Sequence, residues 1–212
     1  MTSPYPATTM TSPERHWLHQ FRIPLLLSAL IVVLALPGDS TQALLRYDRA
    51  AILDGQWWRL LSAHLLHLGG SHLLMNLAGL WLIWLLVGSA LSPRSWLILL
   101  FADALITTLA LLILNPQLDW YVGLSGVLHG LLVAGAIADI RAGHRGTWLL
   151  LGAVACKLGW EQLAGPLPGS EASAGGAVIV DAHLYGALGG LLGLLLPAPQ
   201  PAPPQSTSRH SR

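Results

Sequence analysis

Six apolar runs, near 22–37, 72–91, 95–114, 124–140, 147–164 and 182–197, limit what this 212-residue chain can fold into. A helix rises ~1.5 Å per residue, so runs of this length approach or match the ~30 Å hydrocarbon core of a bilayer. Lipid cannot satisfy backbone N–H and C=O groups, which leaves helices as the means of crossing. The expected fold class is an all-α membrane protein with six transmembrane helices. Only 10% of the residues are charged, against about 25% in soluble domains. A formal net charge of +1 gives no electrostatic basis for binding nucleic acid. Cys156 is the sole cysteine, so an intrachain disulfide is excluded, and its apolar surroundings point to packing.

The ends differ in composition from the middle. Residues 1–21 and 198–212 are rich in Pro, Ser, Thr and Gln; they are expected to be a disordered N-terminus and a disordered Pro-rich tail flanking a helical domain at 22–197. The first run follows a long basic lead with Arg15 and Arg22 and has no clean A-x-A site after it, so it reads as a retained span rather than a signal peptide. Trp96, Trp120, Trp148 and Trp160 fall near run ends, where an interfacial indole is expected. Arg15, Arg22, Arg94, Arg141, Arg145, Arg209 and Arg212 lie in the N-terminus, second and fourth loops and tail. The opposite side holds Arg46, Arg49 and Arg59 in the first loop, accompanied by Asp39, Asp48 and Asp54, and loops 115–123 and 165–181 have no Lys or Arg. By the positive-inside rule both termini are cytoplasmic, and the fourth and sixth spans run inward from the outer face.

Two of these spans open on reactive groups. Gly123-Leu124-Ser125-Gly126 begins the fourth, and Ala182-His183 begins the sixth. A serine hydroxyl needs a base to become a nucleophile. Gly126 with Gly130, and Gly186 with Gly190, make small-xxx-small faces that permit close approach of the two helices. Ser125 at a helix start also offers its own unpaired N–H to a developing oxyanion. From Ser125 to Arg141 is about 24 Å of helix at ~1.5 Å per residue, which sets Ser125 below the outer surface and requires a water-filled, protein-walled cavity. In the second span His72 and Asn76 lie one turn apart on one face, a neutral donor pair suited to an oxyanion hole. A metal site from His64, His67, His72, His129 and His183 is the competing chemistry, but no HExxH occurs. Asp181 reads as an N-cap of the sixth helix. Asp103 reads as an internal hydrogen-bonding group. Lys157 and Glu161, one turn apart, read as a mutual pair, or as a polar edge beside a substrate's entry route.

Trp58-Arg59, the His67/His72/Asn76 spacing, Gly123-Leu124-Ser125-Gly126, and Ala182-His183 followed by Gly186 and Gly190 together resemble the rhomboid intramembrane proteases over about 55–196. Gly-Leu-Ser-Gly-Val-Leu-His-Gly in a six-span chain is similar, more narrowly, to the rhombosortase subfamily of Gram-negative bacteria. The resemblance implies a six-helix rhomboid-like bundle in the bacterial inner membrane, with its active site facing the periplasm. It implies Ser125 as nucleophile, His183 as general base, and His72, Asn76 and the Ser125 N–H as oxyanion hole. Trp58 and Arg59 would help hold the first loop, Gly123 and Gly126 would be supporting residues beside the nucleophile, and His67 would be structural. Better-known rhomboids carry tyrosine where this chain has His129, which therefore either stacks on His183, the preferred reading, or acts as base. The implied partners are membrane-anchored proteins with a C-terminal transmembrane tail of Gly-Gly type, within the lipid bilayer. No metal or cofactor is required. A rhomboid-like protein that binds membrane helices without cutting them is the alternative.

Overall fold

The computed structural model describes residues 21–196. The disorder expected of 1–21 and 198–212 falls outside these, except at Phe21, which is buried and stacks on Trp81 at 6.0 Å. The chain forms α1 (Arg22–Ala35), α2 (Asp39–Leu45), β1 (Tyr47–Asp48), α3 (Arg49–Leu53), α4 (Arg59–Ser62), a 3-10 turn (Ala63–Leu65) and α5 (Gly70–Val87). There follow α6 (Pro93–Leu114), β2 (Trp120–Tyr121), α7 (Ser125–Arg141), α8 (Thr147–Ala164), α9 (Ser170–Ala174) and α10 (Val180–Gly193).

The six apolar runs correspond to α1, α5, α6, α7, α8 and α10. Two helical stretches, Gly70–Ala90 and Pro93–Leu114, are long and apolar enough to cross a membrane, and α1 with α2, bent by 114°, would make a third. The remaining helices fall short by that measure: α7 and α10 have 17 and 14 residues, and α8 carries Lys157, Glu161 and Gln162. For α7 the deficit accompanies enclosure, since most of its residues from Gly126 to Ala136 are buried against neighbouring helices.

The main core joins α5, α6 and α7. Leu80, Ile83, Trp84 and Val87 of α5 pack with Trp96 and Leu99 of α6 and with Val127, Leu131 and Ala134 of α7. Trp96 corrects an expectation: it is buried, donates its indole N–H to the Gly88 carbonyl at 2.9 Å and packs on Trp84, so it belongs to the core rather than the interface. Trp120, Trp148 and Trp160 are exposed. α6 starts cleanly because Ser92 accepts the Ser95 N–H ahead of Pro93 in the first turn.

α10 packs most extensively on α7, then on α6. A Cβ at Gly186 would run into the Gly126 carbonyl, one at Gly190 into the Gly130 carbonyl, and one at Gly126 would lie 2.7 Å from the Ala182 carbonyl. The small faces therefore meet backbone to backbone. Asp103 of α6 fills the remaining space beside Gly130 and Gly189. Its expected internal hydrogen bonding amounts to one long contact, from Thr107 Oγ1 at 3.4 Å, and its other oxygen is buried without a partner.

The first loop is pinned to the segment that delivers Ser125. β1 and β2 pair antiparallel, Tyr47 opposite Tyr121 and Asp48 opposite Trp120. Arg49 adds two bonds, its N–H to the Asp119 carbonyl at 2.9 Å and its guanidinium to the Leu112 carbonyl at 2.7 Å.

Candidate active site

Ser125 is the first residue of α7 and His183 lies in the first turn of α10. The glycine seam brings these helix starts together, so that His183 Nε2 lies 3.0 Å from Ser125 Oγ. Both side chains line a cavity of about 330 Å³ with His72, Asn76, His129 and Glu161. Its remaining wall is largely apolar, from Leu68, Met75, Ile83, Leu128 and Val178 among others. A hydroxyl within hydrogen-bond reach of an imidazole in an apolar recess is an arrangement that can support acyl transfer.

The turn before Ser125 is held from several directions. Gly123 has φ of 140°, a conformation that favours glycine, and a Cβ there would crowd the His72 ring at 3.1 Å from Cε1. Its N–H donates to the Ala63 carbonyl at 3.1 Å, and its carbonyl accepts from Tyr121 OH at 2.7 Å. His64 sits between the Gly123 carbonyl (3.2 Å) and the Ala104 carbonyl (2.9 Å). Burial pushes this imidazole down to about 4, so the ring is neutral and donates to one carbonyl at a time. This role was missed in the sequence, where His64 stood only as a metal candidate.

His72 Nδ1 accepts the Leu68 N–H at 3.2 Å, which leaves the proton on Nε2, beside the Gly123 backbone. Asn76 donates one amide proton to the His72 carbonyl at 2.9 Å and keeps the second. With the Ser125 N–H, one of the first-turn donors without a helical acceptor, three donors line the serine's side of the cavity. His67 packs edge-on against His72 at 5.1 Å with both ring nitrogens buried and unbonded. Burial and the nearby His72 push it down to about 3, so it is neutral.

Arg59 is buried and donates to the Gln56 side chain at 2.8 Å, the Arg46 carbonyl at 2.9 Å and the Ala43 carbonyl at 3.0 Å. Trp58 Nε1 and Ser62 Oγ bond the adjoining Leu44 and Leu45 carbonyls. These contacts bind segment 43–46 immediately before β1, and so act on the β1–β2 pair that leads to Ser125.

His129 lies over His183 with ring centroids 4.4 Å apart and planes 24° from parallel. Its Nδ1–H donates to the Ser125 carbonyl at 2.7 Å. His183 is also met from α8. Glu161, 3% exposed, places Oε2 2.9 Å from His183 Nδ1 and Oε1 2.7 Å from Lys157 Nζ. The Lys157–Glu161 pair was legible as an i,i+4 contact; its attachment to His183, 22 residues away, had no sequence signal. Asp181 is likewise corrected: Ile179 is the N-cap, and Asp181 instead accepts from Asn115 at the end of α6. Tyr185 OH completes that link at 2.9 Å from Asn115 Oδ1.

His129, Glu161 and His183 offer donor atoms within 4.8 Å of one another. Both His183 nitrogens and His129 Nδ1 are engaged, however, and stacked rings carry their lone pairs in nearly parallel planes that do not converge on one ion. The donor set fits proton transfer better than metal ligation.

Residues 54–198 match the family pattern of the rhomboid domain. The chain is also similar to the rhomboid protease GluP of Bacillus subtilis (strain 168), 28% identical over 102 residues, or 48% of this chain and 19% of GluP. It thus spans about a fifth of the length of that curated relative.

Proposed function

The chain belongs to the rhomboid family, and from that premise we propose that it is an intramembrane serine endopeptidase with Ser125 as nucleophile and His183 as general base. The observation that carries this reading is the 3.0 Å contact between His183 Nε2 and Ser125 Oγ inside the cavity. Attack of Oγ on a peptide carbonyl transfers the serine proton to Nε2. The oxyanion is received by the Ser125 N–H and by His72 Nε2–H and Asn76 Nδ2–H, which are worth most in a low-dielectric recess. His183 then returns the proton to the leaving amine, and water releases the acyl group through the same pair. His129 serves as a stacking partner that limits rotation of the base, and Trp58, Arg59, His67, Gly123 and Gly126 hold the frame.

The substrates are membrane-anchored proteins cut near the outer end of a C-terminal transmembrane segment, of the Gly-Gly tail type associated with rhombosortases. Glycines near the cut lower the cost of unwinding a helix whose backbone must leave its hydrogen bonds. The enzyme is an inner-membrane protein with six spans, cytoplasmic termini and a periplasm-facing site. Short α7 fits this reading because it lies among α5, α6, α8 and α10 rather than against lipid.

Co-expression with a reporter ending in Gly-Gly, an apolar helix and a basic cluster tests it. Tail loss with wild type and none with Ser125→Ala is expected. Equal loss with both would assign the cut to another protease; none with either would leave the chain as a binder of membrane helices or direct it to other substrates.

A further inference from the structure

We infer that Glu161 is the positioning residue of a Ser125–His183–Glu161 triad, selecting the tautomer of His183 that can act as base against a competing donor, Lys157. The inference rests on the serine-protease reading and extends it to α8.

His183 Nδ1 has two neighbours of opposite demand. Glu161 Oε2, at 2.9 Å, is an acceptor and requires a proton on Nδ1. Lys157 Nζ, at 3.3 Å, is a donor and would bond only an unprotonated Nδ1. A neutral imidazole carries one proton. With Nδ1–H, the lone pair lies on Nε2 and faces Ser125 Oγ, the arrangement needed to take the serine proton. With Nε2–H, the ring could only donate to Oγ and would be useless as a base.

The carboxylate is arranged to win. Its contact is the shorter, its side chain is almost wholly buried (2%), and its second oxygen is held by Lys157 at 2.7 Å. That contact keeps the ammonium occupied and fixes the carboxylate's orientation. When the serine proton reaches Nε2, the ring becomes an imidazolium, and Glu161 offsets that charge where Lys157 alone would oppose it. The proton then passes to the leaving amine, so the carboxylate gains and loses nothing over the cycle. His129 covers one face of the ring, which leaves the ring edge, where Glu161 sits, to fix rotation within the plane.

A Lys157–Glu161 pair with only a structural role would make different demands. It would affect folding, with no special effect on turnover and none on the His183 proton. The test therefore uses the full-length protein in detergent, comparing wild type, E161A and the double variant K157M/E161A. For E161A, kcat is expected to fall about 10³-fold or more with KM within about threefold, the pattern of losing tautomer control in a serine protease. Adding K157M should recover at least about tenfold, because the donor that stabilises the unproductive tautomer is gone. The low-field proton resonance of a hydrogen-bonded Nδ1–H should be present in wild type and absent in both E161A and H183A. Retention of that resonance in E161A, or kcat above a third of wild type, would overturn the triad. Loss of turnover that K157M does not relieve would overturn the competition with Lys157. Absence of turnover by wild type would contradict the protease reading, while the resonance, recorded without substrate, still decides the Glu161 contact.

Discussion

The α7–α10 seam and the first loop fix Ser125 from opposite sides by opposite means. At the seam, Gly126, Gly130, Gly186 and Gly190 bring two backbones into contact, and the absence of side chains sets the distance between Ser125 and His183. In the first loop, Trp58, Arg59 and Ser62 bond backbone carbonyls of 43–46, and β1 passes that order to β2 and Gly123. One region is intolerant of added atoms and the other of lost donors. The position of Ser125 thus comes from steric exclusion within the bundle and from hydrogen bonding in the first loop.

The largest effect should come from adding atoms to the seam. Gly186→Val drives its Cβ into the Gly126 carbonyl, and displacing α10 by about 1 Å is expected to cost at least about 10²-fold in kcat/KM, with a lowered Tm in detergent. Gly159→Val on α8, where a Cβ meets nothing within 4 Å, should leave both near wild type. Equal damage at the two positions would break the steric half of the comparison.

Arg59→Ala should come next. It leaves two carbonyls and the Gln56 side chain without their donors, a loss of about 2 kcal/mol in stability by the usual worth of charged hydrogen bonds. Arg59→Lys should recover only part of this, since an ammonium cannot span three acceptors in a fixed fork. Denaturant or thermal unfolding checks both. If Arg59→Ala unfolds like wild type, the loop is held by the strand pair alone.

The smallest effect is expected at His129. A tyrosine can stack on His183 as the imidazole does, so His129→Tyr should keep kcat within about fivefold, well below the loss of a catalytic base. Complete loss of peptide cleavage would give His129 a part in proton transfer and would add a third support to Ser125 beyond seam and loop.

The two regions also differ in how much of them the sequence reveals. The seam was legible because glycine at four-residue spacing states both a face and its purpose, and Ser125 and His183 stand at the heads of the helices that carry those faces. The helices that cover the apolar runs, α1, α5, α6, α7, α8 and α10, were legible from those runs, and the short helices between them were not. The loop's partners were not, because the acceptors of Trp58, Arg59 and Ser62 are carbonyls, which every residue has. Trp96 was misread since position near a run's end does not tell that its indole finds the Gly88 carbonyl. Asp181 fits the local pattern of a cap, yet its partner Asn115 lies 66 residues away. Glu161 was hidden by its nearer partner: Lys157 accounts for one carboxylate oxygen, and nothing local reveals that the other reaches His183.

The most direct measurement is site-resolved labelling by a fluorophosphonate, which reacts with a serine activated by a base. Purified wild-type protein in detergent, digested and read by mass spectrometry, should carry the adduct on Ser125, and His183→Ala should slow its formation by at least about 10²-fold. An unlabelled Ser125 in folded protein, or labelling at the same rate without His183, would contradict the account.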